Sequence, residues 1–256
     1  MATLKWDHAV QFVNHPEEAI QTFAAQQLNA IPGGRHPGWG TRNALSYFGL
    51  TYIEFLAIAD QAELETAAQR FLLSRDAAQL LPENQALHRL ALRSDDIVQT
   101  HEDLHRKGLQ VSAIADGQRN DPQGNVISWR IFTIDGDVNG LPYPFVLQWG
   151  EDDDARLARL RAQGLDSTHP AGEVALTRAV FDVQDPHAVR AHWQALFGFA
   201  PLADATQEGL DLGDQQFIFR RGADNRLVEL VLTAGEPALH GKRWSVGHGE
   251  YVFAQG

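Results

Sequence analysis

Thr51-Tyr52-Ile53-Glu54-Phe55-Leu56-Ala57-Ile58 reads as a β-strand, because β-branched and aromatic residues fill it and Gly49 and Asp60 bound it. Period-two alternation places Tyr52, Glu54, Leu56 and Ile58 on one face. A carboxylate therefore points into an otherwise apolar layer, where a charge is costly unless it is paired, hydrogen-bonded or bound to a metal. Arg35, Arg42 or Arg130 would make it a buried ion pair. Otherwise Glu54 belongs to a site.

Working outward, one pattern recurs. Leu4 to Val13 reads as a strand with Trp6, His8, Val10 and Phe12 on one face, and Asn14-His15-Pro16-Glu17 opens a helix with Asn14 as its cap. Strands Ala44–Phe48 and Thr51–Ile58 follow. A second copy starts near Leu87, with His88, Leu90 and Leu92 sharing a face, and runs through a helix at Asp95-Asp96 to strands Ile127–Ile134 and Phe145–Trp149. A third runs from Val174 through Asp185-Pro186 to Gln216–Arg220 and Arg226–Leu232. Equating Pro16, Asp96 and Pro186 sets the register, pairs His8 with His88 and Arg178, and matches Glu54 to Glu229, with Gln148 in the slot between. Ala62–Leu81 and Asp152–Gly164 read as helical connectors. The expected fold is α+β: repeated βαβββ units forming curved mixed sheets, with a paired module over 1–150 (units about 4–58 and 86–150) and a third unit with a C-terminal strand over 165–256. The exposed face of that third unit needs covering, by the first module or by a second chain in a homodimer.

Gly33-Gly34-Arg35-His36-Pro37-Gly38-Trp39-Gly40-Thr41-Arg42-Asn43 is the other distinctive stretch. Its glycines suit a tight turn. Arg35, His36, Trp39 and Asn43, with Trp129 from the second copy, are the expected substrate-binding rim, since loops carry binding groups disproportionately.

A repeated strand-helix-strands unit with His in its first strand and Glu in its last resembles the vicinal-oxygen-chelate superfamily of glyoxalase I, bleomycin-resistance proteins and extradiol dioxygenases. The glycine-rich stretch is similar to the glyoxalase-like domain family. The resemblance implies a divalent metal (Zn, Ni, Mn, Co or Fe) held by His8, Glu54, His88 and Gln148, with Glu54 also the catalytic base. It implies a metal-dependent lyase or isomerase acting on a small α-hydroxy or α-keto carbonyl compound in a concave cleft. The alternative is a metal-free module that sequesters a small molecule, for which Trp39, Trp129 and Trp149 are suited. The metal-ligating glutamate of glyoxalase I is replaced here by Gln148, which argues against classical glyoxalase activity.

Composition narrows the classes. With 256 residues and 44% hydrophobic content the chain has material for a substantial core. Without cysteine, any metal would be held by nitrogen and oxygen. A formal charge of −12 argues against nucleic acid as partner. Neither a signal-like start nor an apolar run of bilayer length is present, so no membrane association and a cytoplasmic location are expected.

Overall fold

The computed structural model describes residues 2–120 and 126–255. The first half contains β1 (Leu4–Phe12), α1 (Pro16–Ala25), β2 (Ile31–His36), β3 (Thr41–Phe48), β4 (Thr51–Ile58), α2 (Gln61–Ala67), α3 (Leu72–Leu80), β5 (Leu87–Ser94), α4 (Ile97–Arg106), β6 (Ala115–Asn120), β7 (Val126–Phe132), the short pair β8 (Asp137–Val138) and β9 (Leu141–Pro142), and β10 (Phe145–Trp149). After α5 (Asp153–Ala162) come β11 (Val174–Val183), α6 (Pro186–Phe197), β12 (Ala200–Pro201), β13 (Gly209–Asp211), β14 (Gln216–Arg221), β15 (Arg226–Ala234), β16 (Arg243–Val246) and β17 (Gly249–Gln255). The fold is the expected α+β arrangement of curved mixed sheets.

The first sheet has the order β2-β3-β4-β1-β5-β10-β7-β6. Its centre is β1, parallel to β4 and antiparallel to β5. The second sheet, β12-β13-β14-β11-β15-β17-β16, repeats that plan: β11 is parallel to β14 and antiparallel to β15. Even the irregularities recur. Register shifts fall between Trp6 and His8 and between Val10 and Gln11 in one sheet, and at the corresponding Leu176/Arg178 and Val180/Phe181 in the other. The third unit is therefore present, but it ends at β14. Arg226–Leu232, expected as its last strand, instead opens a further set with β16 and β17, in which a 3-10 turn at Pro237–Leu239 stands where the other sets have a helix. Glu229 consequently lies on a first strand and is no counterpart of Glu54. It pairs with Arg243 and, at 3.9 Å, Arg220, while Arg178 donates to Gln216.

The helix starts correct the register. The cap of α1 is His15, without a side-chain bond, while Asn14 donates to the Pro82 carbonyl. Asp96 and Asp185 are the side-chain caps of α4 and α6. His15, Asp96 and Asp185 are thus equivalent, one residue away from the equation of Pro16 with Asp96. Each bulge also inserts one unpaired residue, Asp7 in β1 and His88 in β5. In the corrected register His88 matches Asp7, and His8 matches Arg89. A one-residue slip turns a side chain to the other face.

The sheets pack through their helix-bearing faces. A continuous apolar cluster joins Ala9, Phe23, Phe55, Leu90 and Leu92 to Phe181, Trp193, Phe217 and Tyr251. The ring of Trp6, turned by the bulge away from the face of His8, meets Phe217 at 5.6 Å. The third unit's face is therefore covered by the first module within the chain. Gln11, fully buried, accepts a hydrogen bond from the Tyr251 hydroxyl and donates to the Val246 carbonyl across this interface.

On the opposite, concave face of the first sheet, the α2–α3 hairpin does more than connect. Leu64, Leu73, Ala77 and Leu81 pack on Val10, Phe12, Leu56 and Ala91. The hairpin comes close enough because residue 40 is glycine: its φ is +70°, and a Cβ there would lie 2.3 Å from the Leu64 amide nitrogen. Gly40→Ala should cost at least about 1–2 kcal/mol from the left-handed backbone alone, plus the clash. A chemical-denaturation midpoint equal to that of the parent would refute this.

Candidate functional site

The concave cleft left beside the hairpin has a volume of about 90 Å3 and is lined by β1, β3, β4, β6, β7 and β10 together with the β2–β3 turn and Leu73 of α3. As alternation requires, Tyr52, Glu54 and Leu56 of β4 all face it, and so do Phe145, Leu147 and Trp149 of β10. Tryptophans 39, 129 and 149 wall it, with Trp129 and Trp149 meeting at 5.9 Å and 60°. Trp39 is set by stacking on Phe71 at 4.6 Å and by the Ser74 hydroxyl, which donates to its carbonyl.

At the floor, His8 is 3% exposed, stacked on Tyr52 at 4.4 Å and edge-on to Phe145 at 5.4 Å. Its Nδ1 lies 2.7 Å from Asp7 Oδ1 and its Nε2 lies 3.6 Å from Glu54 Oε2. A carboxylate only accepts, so Nδ1 is the donor and Nε2 the nitrogen turned to the cleft. Glu54 Oε1 accepts from Asn43 Nδ2 at 2.6 Å, and that same nitrogen lies 3.3 Å from His36 Nε2, whose ring is bonded to Thr41 through Nδ1. Gly33 leaves room for the Asn43 amide: a Cβ would fall 2.0 Å from Asn43 Oδ1. Two of the expected turn glycines, Gly33 and Gly40, are thus close-packing positions around the site.

Asp7 was not among the residues expected from sequence. It has no exposed surface and accepts from Trp149 Nε1 at 2.9 Å and from Arg156 at 3.2 Å, besides His8. Burial by itself would raise the Asp7 pKa, but the Arg156 guanidinium, and then the His8 bond, outweigh it and hold the group at about 2 against the usual 3.8. With the folded value below the unfolded one, the contribution to stability is complete above pH 3.8 and disappears as the pH falls through about 2. Acid titration followed by tryptophan fluorescence should therefore show a loss on the order of 2 kcal/mol in that window, absent in Asp7→Asn. An unchanged acid limb in Asp7→Asn would contradict it. The Tyr52 phenol is pushed well above its ordinary pKa by burial and by Asp7 and Glu54.

The structure brings His8, Glu54, Asn43, His36, Trp39 and Trp129 around one cleft, but not His88, Gln148 or Arg35. Gln148 sits on the other face of β10, where it accepts from the Ile97 amide and Arg130 and donates to the Asp95 carbonyl. His88 lies 3.6 Å from Asp76 of α3 and edge-on to Phe12. Arg35 is exposed and pairs with Glu63 at 3.6 Å.

The family described as glyoxalase-like domain matches residues 6–197. The chain belongs to it. Among solved structures, this glyoxalase-like protein is similar to a hypothetical protein from Staphylococcus aureus, at 19% identity and a TM-score of 0.84 over 98% of this chain and 99% of that one. It is also similar to the Mn(II)-bound glyoxalase from Novosphingobium aromaticivorans, at 11% identity and a TM-score of 0.57 over 99% and 82% of the two chains. A methylmalonyl-CoA epimerase from Streptomyces coelicolor matches 59% of the chain over its own full length, at 14% identity and a TM-score of 0.44. No curated protein matches the sequence.

The fold family implies a divalent metal, and the donor set tests whether this glyoxalase-like protein suits one. The corrected register and the strand pairing put His8 and Glu54 at two ligand slots and Arg89 and Phe145 at the other two. A guanidinium and a phenyl ring offer a cation no lone pair. Arg89 is instead bound to Asp76 and to the Tyr143 carbonyl. Among the described residues, no three His, Asp or Glu side chains converge on one point. The residues do not fit the metal site that the sequence led us to expect, and that expectation is corrected accordingly.

Proposed function

We propose that this chain is a small-molecule enzyme that moves a proton on a carbonyl compound without a metal, with residues 1–150 carrying the site. What supports the reading above all is the line Asp7–His8–Glu54 running from a fully buried, arginine-neutralised carboxylate to an aromatic cleft. In the reaction, the C–H bond beside the carbonyl breaks, its electron pair enters the enolate, and Glu54 takes the proton. His8 Nε2 accepts that proton from Glu54, and Asp7 stabilises the resulting imidazolium. Return of the proton to the carbon gives an isomerisation, whereas loss of a neighbouring group gives a lyase. Asn43 orients Glu54, and His36, Trp39 and Trp129 position the substrate. The three tryptophans favour a second reading, in which the cleft sequesters its ligand without turnover. A cytoplasmic enzyme, as a monomer or a homodimer, is part of the same proposal.

The test uses protein whose metal content is fixed by elemental analysis. A panel of α-hydroxy and α-keto carbonyl compounds is incubated with it in D2O, and deuterium uptake beside the carbonyl is followed by proton NMR. Exchange by metal-free protein is expected, with no rise in melting temperature on adding Ni, Mn, Zn, Co or Fe(II), because a ligand that binds the native state stabilises it. Binding without exchange would favour sequestration. Exchange that appears only with added metal would overturn the metal-free reading.

A further inference from the structure

Among the described residues, four carboxylate side chains are buried: Asp7, Glu54, Asp76 and Glu229. Three of them carry arginine partners, Arg156 for Asp7, Arg89 for Asp76, and Arg243 and Arg220 for Glu229. Among the described residues Glu54 has neither Arg nor Lys within 4 Å; His8 Nε2 lies 3.6 Å from its Oε2. Arg35, Arg42 and Arg130, which the sequence offered as partners, are bound to Glu63, Glu17 and Gln148. No Lys or Arg is among the described residues that line the cleft. A carboxyl group with no guanidinium or ammonium partner among the described residues thus faces a space walled by tryptophan rings.

Aromatic faces attract cations. The protein already uses this at the back of the same wall, where the Arg156 guanidinium lies 4.2 Å from the Trp149 ring. We infer that the ligand of this cleft carries a permanent or protonated cationic nitrogen, which takes the place of the arginine that Glu54 lacks. The inference rests on the proposed small-molecule reading and deepens it. A positive nitrogen next to the reacting carbon also acidifies its C–H bond. When the proton passes to Glu54, the carboxylate and the net charge of the ligand are neutralised together, so the low-dielectric cleft never holds an unbalanced ion. Anionic compounds meet the reverse situation. The overall charge of −12 adds a long-range attraction for cations.

The experiment compares three probes that share a phenyl ketone: phenacyltrimethylammonium, α-hydroxyacetophenone and phenylglyoxylate. Isothermal titration of the full-length protein should give a Kd about tenfold lower for the cation than for the neutral compound, as cation–π contacts with a counter-charge imply, and weaker binding for the anion. In Glu54→Gln the advantage of the cation over the neutral compound should shrink to near zero while the neutral compound still binds. Trp129→Leu, which leaves Glu54 in place, should lower cation affinity more than neutral affinity. Equal affinity for cation and neutral compound, a preference for the anion, or a preference that survives in both variants would overturn the inference and leave the small-molecule reading standing. Failure of all three probes at millimolar concentration would overturn both.

Discussion

Arg156→Met should destabilise the protein by about 3–5 kcal/mol, the usual consequence of removing one partner of a buried charge pair. Arg156, 1% exposed, donates to Asp7 and to the Leu50 carbonyl, and its guanidinium lies over the rings of Trp149 and Tyr52. Methionine fills much of the same volume. The loss is therefore one of charge: Asp7 would keep its bonds to His8 and Trp149 but sit fully buried without a counter-ion. Urea unfolding followed by tryptophan fluorescence measures it, and a loss below about 1 kcal/mol would show that water reaches Asp7 and that the pair is dispensable. The double variant Asp7→Asn with Arg156→Met should recover part of the loss, because neither charge remains. The single variant should also unfold at higher pH on acidification, since the first influence holding the Asp7 carboxyl low is gone.

That residue marks where the sequence was hard to read. Glu54 and His8 were legible because each is a polar residue on the inward face of a β-rich run, and alternation alone places them in the cleft. Asp7 was not, because alternation sends it to the face opposite His8; only the bulge between Trp6 and His8 buries it beside the histidine. The same kind of bulge misplaced His88, whose ring a regular strand would align with Leu90 and Leu92. Gln148 was wrongly assigned to the site, and parity shows why: Phe145, Leu147 and Trp149 face the cleft, so their even-numbered neighbour cannot. Arg156 lies in the segment Asp152–Gly164, which carried a helical pattern but no sign of its partner; Asp152 caps α5 and Asp153 bonds Lys5 and Arg93, which directs the helix onto the first sheet. Ala62–Leu81 carried a helical pattern but nothing to say which face of the sheet it covers. The overall unit repeat survived these errors because it depends on the order of elements, which single-residue insertions do not change.

Glu54→Gln should lower the deuterium-exchange rate by about 10²–10⁴-fold, the range expected when a positioned base is removed, while leaving the fold intact. The amide is nearly isosteric with the carboxylate and still offers an oxygen to Asn43 Nδ2, so the chain Asn43–His36–Thr41 keeps its bonds. Stability should move differently from that of the Asp7 and Arg156 variants. Those lose a compensated charge, whereas residue 54 loses one that has no arginine or lysine partner among the described residues, so the melting temperature should stay level or rise. The two readouts separate a catalytic role from a structural one: a residue that only supports the cleft would lose stability along with activity. His8→Phe supplies the complement, because it keeps an aromatic ring against Tyr52 and Phe145 but leaves Glu54 with no acceptor for its proton. Unchanged exchange in Glu54→Gln would remove the carboxylate from the chemistry and make His8, poised by Asp7, the sole base.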